Sequence, residues 1–254
     1  MEVAILGAGM TGLLAAKALS ELDIDFLIFD KNPEQATSVK QGLHYLHDNC
    51  GLELEPNIVH NYVIGYNPGE KMPHEVYSEK LGTPLNNSLV DLPAYNIIYD
   101  FNMAYHMLYA MFSRKIRNVT IGPEMLEYLL SKPDYTISTI PLCILFPEAD
   151  CKFVEVQASR GKPPGLDGVM NFEENFVIYN LDKEDAWYRY SKIFGVEWAE
   201  VVEGGDFTIK KVVDTDFESP YDNIILLGRW GQWKRKFLAH HAYYEIKRRF
   251  QDEL

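Results

Sequence analysis

A glycine turn between two apolar runs opens the chain and constrains its fold more than any other feature. Residues 2–6 are apolar and include Val and Ile, which predicts a buried parallel strand. The turn Gly7-Ala8-Gly9-Met10-Thr11-Gly12 follows, and residues 13–19 then carry good helix formers with one apolar face. A second apolar run, residues 24–29, ends at Asp30. Strand, glycine turn, helix, strand and acid form the βαβ order of a dinucleotide-binding site.

The turn residues have distinct physical tasks at such a site. Gly7 permits the tight turn out of the strand, Gly9 lets the backbone approach a pyrophosphate, and Gly12 lets helix and strand pack closely. The helix N-terminus offers free N–H groups and partial positive charge to the anion. An acid at position 30 accepts hydrogen bonds from an adenosine ribose and disfavours a 2′-phosphate. We therefore predict that the whole turn, with Asp30 and Lys31, binds a dinucleotide, among which NADP is the least favoured.

The far end of the chain distinguishes FAD from NAD. Residues 223–227 predict another buried strand, and residues 237–250 a closing helix. Between them lies Gly228-Arg229-Trp230-Gly231-Gln232-Trp233. A strand that ends in glycine and leads into a final helix is similar to the way in which FAD enzymes of the glutathione-reductase-like class complete their site. The glycine backbone and the helix N-terminus would meet the ribityl-phosphate arm, so FAD is the predicted cofactor.

The same segment resembles the Gly-Arg-x-Gly-x-aromatic segment of the UDP-galactopyranose mutase family, within the wider flavin amine oxidase and protoporphyrinogen oxidase superfamily. The resemblance implies that Arg229 approaches the pyrophosphate and that Trp230 lies near the flavin ring. Gln41-Gly42-Leu43-His44-Tyr45-Leu46-His47-Asp48 is similar to that family's Gly-x-His-x-x-His loop. This similarity implies that Gly42 and Leu43 bind the cofactor and that His44 lies over the flavin.

Two further segments are similar to the family. Residues 134–141, which contain Thr139 and Pro141, resemble a strand that ends in Thr-x-Pro near the cofactor. Residues 170–189, with Trp187-Tyr188-Arg189, resemble the strands that return an arginine toward the flavin. The substrate-binding residues predicted on this basis are Tyr179, Tyr188, Arg189 and Trp233. The chain departs from the superfamily after its second strand, because Asp30 is not followed by an arginine and a double glycine.

The predicted fold class is α/β: a Rossmann-like FAD-binding domain with a parallel sheet, plus a smaller, mainly antiparallel substrate-binding domain. Residues 1–60, 118–150 and 218–254 are assigned to the FAD-binding domain, and residues 61–117 and 151–217 to the substrate-binding region. Within these ranges, residues 105–117 and 124–130 predict helices, residues 135–140 predict a strand, and alternation within 151–217 predicts half-buried strands.

The candidate catalytic group is His44, because an unperturbed imidazole has a pKa near neutrality and therefore suits a proton donor or acceptor beside the flavin. A structural hydrogen bond that braces its loop is an equal alternative. Arg189 and Tyr188 suit a carboxylate or phosphate on the substrate, and a salt bridge within the sheet is the competing interpretation. No metal site is predicted, because neither the pair His44 and His47 nor the adjacent His240 and His241 has a companion acid or thiolate at ligand spacing.

Composition limits the function classes. The 24 basic and 37 acidic side chains give a net charge of −13, which opposes a general nucleic-acid coat protein. Three cysteines are too few for a disulfide framework, so a reducing, cytoplasmic compartment is expected. The N-terminus lacks the basic region of a secretory signal, and no apolar run approaches the ~20 residues that cross a bilayer, so no membrane partner is expected. Motifs of hydrolases, ATPases and dithiol redox enzymes are absent from the sequence.

These observations favour a small FAD-dependent oxidoreductase that resembles the amine oxidases and takes hydride from an amine or amino-acid-like substrate. The first alternative is a redox-neutral mutase or lyase resembling UDP-galactopyranose mutase. A second is a flavoenzyme that modifies an amino-acid-type group on a nucleobase, motivated by basic segments at residues 234–236 and 247–249. The third is a non-catalytic flavin-binding module, which the missing double glycine supports. The sequence predicts no oligomeric state.

Overall fold

Two β-sheets, with helices packed mainly on the first, make up the part of the chain that the computed structural model describes, residues 1–31, 45–66, 71–82, 93–166 and 174–251. The strands are β1 Glu2–Leu6, β2 Asp25–Asp30, β3 Asn57–Ile64, β4 Tyr95–Ile98, β5 Ile116–Asn118, β6 Tyr135–Ser138, β7 Phe153–Arg160, β8 Phe176–Asn180, β9 Trp187–Ile193, β10 Val196–Val201, β11 Phe207–Val212 and β12 Ile224–Leu226. The helices are α1 Met10–Glu21, α2 Pro73–Leu81, α3 Phe101–Phe112, α4 Pro123–Ser131, α5 Leu142–Leu145, α6 Gly228–Gly231 and α7 Ala239–Gln251.

The first sheet, called the parallel sheet below, has the order β12-β6-β1-β2-β5. Its pairs are all parallel, and its central strand β1 lies between β2 and β6. The order is that of a Rossmann sheet, in which the first strand lies at the centre and the chain turns back at a switch point beside it. Ligands bind in the crevice outside the carboxyl ends of the strands at this point.

Both faces of the parallel sheet are covered. On one face, α1, α3 and α7 pack together over β1 and β2, and the small side chains of Ala15, Ala16 and Ala18 let α1 lie close to the sheet. On the other face, β1 and β12 pack against α4, α5 and the indole of Trp233. Burial on both faces explains why the strands have continuous apolar sequences.

The second sheet, called the mixed sheet below, has the order β11-β7-β10-β9-β8-β3-β4. Only β3 and β8 pair in parallel among its described strands, and the other pairs are antiparallel. The helix α2 packs on one face of this sheet through Val76, Tyr77 and Leu81. The predicted fold class, a Rossmann-like parallel sheet with a mainly antiparallel second sheet, is confirmed.

The sheets divide the chain at different positions from the domain ranges predicted above. The helix predicted over residues 105–117 begins at Phe101, because the Asp100 carboxylate caps it by accepting from the amides of Asn102 at 2.8 Å and Met103 at 3.0 Å. This helix, α3, packs on α1 beside the parallel sheet, and the strand that follows it, β5, pairs with β2. Conversely, β3 already belongs to the mixed sheet from Asn57. The assignment of two domains remains a prediction, with α3 and β5 on the side of the parallel sheet.

The helices of the described residues are too short or too polar to span a membrane.

Candidate functional site

The glycine turn lies at the carboxyl end of β1, and two of its glycines are required by packing. Gly7 has φ +103°, in the left-handed region that favours glycine. A Cβ on Gly12 would overlap the carbonyl oxygen of Gly7, so only glycine lets α1 approach the strand this closely. Gly9 differs, because a Cβ there would have no heavy atom within 4 Å. Gly9 therefore faces open space. A pyrophosphate in that space could approach the backbone, because no side chain stands in its way.

The first amides of α1, beside this space, have no partner within the helix. Gly9 is the N-cap and supplies no side-chain hydrogen bond, and its carbonyl accepts from the amide of Leu13 at 3.0 Å. The amides of Met10, Thr11 and Gly12 precede the first intrahelical bond, so their geometry leaves them available to an outside acceptor. Backbone donors and the positive end of the helix dipole suit a phosphate group at this position.

Asp30 closes the other side of the turn. Its Oδ2 accepts from the Ala8 amide at 2.7 Å, and the Gly7 amide donates to the Phe29 carbonyl at 2.8 Å. The predicted ribose-binding acid is thus fixed at the end of β2, next to the glycines, and Lys31 follows it on the surface. Sequence analysis missed Tyr105, whose hydroxyl donates to the Ala8 carbonyl at 3.2 Å from α3. Burial, with the nearby Tyr109 and Asp30, raises the pKa of Tyr105 to about 12.

The segment from Gly228 to Trp233, called the return below, contacts the first glycine turn. The contact between Gly228 and Thr11 is called the glycine junction. Gly228 has φ +74°, and a Cβ on it would lie 2.6 Å from Thr11 Cγ2. The Leu227 amide donates to the Ser138 carbonyl at 2.9 Å, which continues β12 along β6. Thr139 joins the same junction, since its hydroxyl donates to the Leu6 carbonyl at 2.8 Å. Segments from the start, middle and end of the chain therefore meet around one crevice.

The two tryptophans of the return have different surroundings. Trp230 is half-buried, and its ring centroid lies 5.3 Å from that of Trp233 in an edge-to-face arrangement. Trp233 is only 2% exposed, and its Nε1 donates to the Lys152 carbonyl at 2.8 Å. This position disagrees with the substrate-binding role predicted for Trp233, because the indole fills the core behind the parallel sheet.

The other three predicted substrate residues, Tyr179, Tyr188 and Arg189, lie on the mixed sheet. Tyr179 on β8 is opposite Arg189 on β9, and Arg189 is opposite Glu200 on β10, so the three side chains share one face. The Arg189 guanidinium donates to Glu200, as the salt-bridge interpretation predicted, and also to the Tyr179 hydroxyl. Tyr188 packs instead in the cluster beneath α2, where the Lys80 ammonium lies 5.8 Å from its ring centroid.

Two groups that sequence analysis did not select complete this face. Glu200 also accepts from Lys211 Nζ at 2.6 Å, and its side chain is 3% exposed. Burial alone would raise the pKa of Glu200, but Arg189 and Lys211 outweigh burial and lower it, so the carboxylate stays ionised. Tyr77 of α2 packs edge-to-face on Tyr179, with centroids 5.8 Å apart. Alternation in the sequence could have placed these residues on a face, but it could not have identified their cross-strand partners.

Arg229 extends toward this charged face from the return. Its side chain is solvent-exposed and forms no ion pair with the described residues. Surrounding protein atoms and the positive charge of Arg189 lower its pKa, while Asp214 opposes the shift. The arginine predicted beside the cofactor therefore lies between the glycine junction and the mixed sheet.

Three imidazoles lie between the loop after residue 44 and the start of α7. The ring centroids of His47 and His240 are 5.9 Å apart, and those of His240 and His241 are 4.3 Å apart. Burial and the neighbouring imidazoles lower the pKa of His240 to about 4, and they also lower that of His47. No group of metal-ligating side chains occurs among the described residues. The predicted residues Gly42, Leu43 and His44 lie outside the described residues.

Comparison with known proteins agrees with this geometry. Residues 5–68 match the family described as an NAD(P)-binding Rossmann-like domain. The match covers the end of β1 and all of α1, β2 and β3, about a quarter of the chain, and it agrees with the Rossmann-like order of the parallel sheet. No curated protein matches the sequence.

Solved structures share the fold over nearly the whole chain. A reduced UDP-galactopyranose mutase is 12% identical, with a TM-score of 0.53 over 97% of this chain and 94% of the other. The tryptophan 5-halogenase MibH is 10% identical, with a TM-score of 0.57 over 99% of this chain and 65% of the other. PqsL, a probable FAD-dependent monooxygenase from Pseudomonas aeruginosa, is 11% identical, with a TM-score of 0.51 over 100% of this chain and 88% of the other. At such identities the likeness describes the fold.

Proposed function

We propose that this protein is an FAD-dependent oxidoreductase that takes hydride from an amine or amino-acid-like substrate. The observation that carries the proposal is the junction between Gly228 and Thr11, where a Cβ on Gly228 would lie 2.6 Å from Thr11 Cγ2. A Rossmann turn alone fits several dinucleotides. The turn at Gly228 adds a second stretch of bare backbone to the same crevice, and this second stretch favours FAD. The probable FAD-dependent monooxygenase shares this overall fold.

The residues present fit FAD. The open space at Gly9 and the first amides of α1 suit its diphosphate, and Asp30 suits the adenosine ribose. Gly228 and Arg229 suit the phosphate of the ribityl arm. Lys31 and Thr139 border the same crevice. When bound there, FAD would accept hydride from a C–H bond next to nitrogen.

The chain's own contribution would be to bind and orient the substrate and to exclude water. The face of the mixed sheet that carries Tyr179 and Arg189 offers an aromatic ring and a guanidinium for this purpose. Half-buried Trp230 would cover the crevice from the side of the return. His44, outside the described residues, remains the proposed proton donor or acceptor.

The test uses the freshly purified protein. A flavin absorbance spectrum, or its appearance on titration with FAD, is expected first. Anaerobic mixing with a panel of amines and amino acids should then bleach that absorbance. A protein that binds FAD but stays oxidised with the whole panel would contradict the oxidoreductase assignment, and a colourless protein without thermal stabilisation by FAD would favour the non-catalytic module.

A redox-neutral mutase or lyase is the second candidate. It is favoured by the fold similarity to UDP-galactopyranose mutase, which extends over nearly the full length of both chains. Turnover that begins only after reduction with dithionite and consumes no further electrons would select this candidate. Net bleaching by an amine would select the first.

Action on a nucleobase substituent remains a third proposal, with limited support from the surface. The basic segment at residues 234–236 is partly neutralised, because Lys234 lies 3.7 Å from Asp216 and Arg235 lies 3.1 Å from Asp214. In the other basic segment, Lys247 lies 2.6 Å from Glu21. Salt-dependent binding to DNA would support this proposal, and undetectable binding would remove it.

A further inference from the structure

Three cations converge where the mixed sheet meets the glycine junction. Arg189 and Lys211 extend from strands β9 and β11 onto one face of the sheet, and Arg229 approaches them from the return. We call Arg189, Lys211 and Arg229 the cation cluster. The strand register places Lys211 on the same face as Glu200 and Arg189. Lys211 is opposite Val154 on β7, and Glu200 is opposite Ala158 on the same strand. Val154 and Ala158 are an even number of residues apart, so they lie on one face.

One carboxylate pairs with two members of the cluster. Glu200 binds Arg189 with one oxygen and Lys211 with the other, at 2.6 Å for Lys211. Asp214 attracts Arg229 from farther away, but its Oδ1 is already bound by the amide of Arg235 at 2.7 Å and by Nε of the same residue at 3.1 Å. The cluster therefore carries more positive than negative charge, in a chain whose net charge is −13.

The like charges oppose one another. Desolvation lowers the pKa of Lys211, and the charges of Arg189 and Arg229 lower it further, while Glu200 opposes the shift. An anion bound between them would reduce this repulsion and would exchange hydration for charge-assisted hydrogen bonds. One cation would be enough to neutralise Glu200 if the salt bridge only stabilised the sheet. Three cations near one carboxylate leave positive charge that an anion could neutralise.

A phenol extends the polar surface near the cluster. The Tyr77 hydroxyl is buried and has no hydrogen-bond partner among the described residues, and the charges of Glu200 and Arg189 both act on it. An unpartnered buried hydroxyl is costly, and a modest rotation would let it donate to an oxyanion. Tyr179 lies between this phenol and Arg189.

We propose that the cation cluster binds a carboxylate or phosphate group of the substrate, next to the dinucleotide crevice. The statement that the anion belongs to a substrate rests on the proposed flavin function. Binding of an anion by the cation cluster does not depend on that function. It narrows the substrate class from amines in general to molecules that carry an oxyanion near the reacting centre.

The experiment titrates the FAD-loaded protein with benzoate and, separately, with inorganic phosphate. Calorimetry measures binding, and the visible flavin spectrum reports whether the anion lies near the ring. The decisive variant is Lys211→Met, which removes the charge and leaves an unbranched side chain of similar length. The matched control is Lys210→Met, because Lys210 precedes it on β11 and its ammonium lies 4.1 Å from the ring centroid of Phe153 instead.

Binding of at least one probe by the unchanged protein is expected, with affinity lowered roughly tenfold or more in Lys211→Met and unchanged in Lys210→Met. Benzoate without phosphate identifies a carboxylate site, and phosphate without benzoate identifies a phosphate site. Glu200→Gln raises the net positive charge and should strengthen binding if circular dichroism shows that the variant folds.

Three results would overturn the proposal: no binding of either probe, equal affinity in Lys211→Met and the unchanged protein, or binding that occurs only when FAD is absent. The last result would assign the cations to the cofactor's diphosphate. If the protein binds no FAD at all, the flavin function fails, and the anion site is then tested by whether Lys211→Met weakens binding of the probe to the FAD-free protein.

Discussion

The hydroxyl of Tyr243 donates a hydrogen bond of 2.6 Å to Oε2 of Glu21 and thereby ties the last helix to the first. The same carboxylate receives Lys17, which is 6% exposed, and Lys247 at 2.6 Å. Burial would raise the pKa of Glu21, but the hydrogen bonds from Lys17, Lys247 and Tyr243 outweigh it and lower the pKa to about 2. The ammonium groups of both lysines also lie near the Tyr243 ring, at 5.1 Å and 4.9 Å from its centroid.

Glu21→Gln should destabilise the protein by about 1–3 kcal/mol, because it leaves the buried Lys17 ammonium without its carboxylate. Denaturant unfolding measures the loss. Glu245→Gln is the control, since Glu245 pairs with exposed Arg248 on the outer side of α7 at 2.8 Å. That change should cost no more than about 0.5 kcal/mol. Equal effects of the two substitutions would show that the Glu21 network contributes no more than a surface pair.

The stability contributed by Glu21 should depend on pH in a defined direction. Its pKa falls from 4.5 to about 2 on folding, so the contribution is complete above pH 4.5 and is lost as the pH falls toward 2. The difference in unfolding free energy between the unchanged protein and Glu21→Gln should therefore shrink across this interval. A difference that stayed constant down to pH 2 would contradict the lowered pKa.

Gly9→Ala should weaken FAD binding roughly tenfold or more while leaving the fold intact, because its Cβ would enter the space proposed for the diphosphate. Gly122→Ala is a matched control. Both glycines are helix N-caps without side-chain hydrogen bonds, and a Cβ on either would meet nothing within 4 Å. The two variants should lose similar stability from the cap, and FAD titration should separate them. Unchanged FAD affinity in Gly9→Ala would remove the diphosphate from this turn.

Gly228→Ala should destabilise the protein more than Gly82→Ala. Both positions have positive φ, +74° and +66°, which costs an alanine about 1–2 kcal/mol. Only the Cβ at position 228 meets a neighbour, Thr11, which adds about 1–3 kcal/mol of overpacking. Thermal or denaturant unfolding compares the two. In the double variant Thr11→Ala/Gly228→Ala, part of the additional loss of unfolding free energy should be recovered. If none is recovered, steric overlap between residues 11 and 228 is not the cause of that loss.

Local patterns in the sequence were sufficient to predict the βαβ unit that begins the parallel sheet, but not the addition of α3 and β5 to it. The glycines at positions 7 and 12 have steric tasks that only glycine performs, so their spacing determines the turn and the approach of α1. The meeting of residues 228 and 11 was expected from the resemblance of the C-terminal segment to FAD enzymes, because a local pattern does not indicate a contact between such distant segments.

The charged face of the mixed sheet was not predictable in the same way. Alternation indicates that Arg189, Glu200 and Lys211 lie on half-buried strands, but it does not give the order β11-β7-β10-β9 that brings them together. The substrate-binding role of Trp233 stays a prediction, and the burial of its indole, whose Nε1 donates to the Lys152 carbonyl, argues against it. Its neighbours in sequence lie at the crevice, and nothing in the local pattern indicates that position 233 is buried.

The position of α7 has a consequence for synthesis on the ribosome. Strand β1 and helix α1 are translated well before Ala242, Tyr243 and Ile246, which complete the apolar side of α1. A nascent chain must therefore keep that surface unburied until α7 has been synthesised, and contacts between such distant segments form slowly. We expect chaperone binding to concentrate on residues 2–21 until α7 has left the exit tunnel.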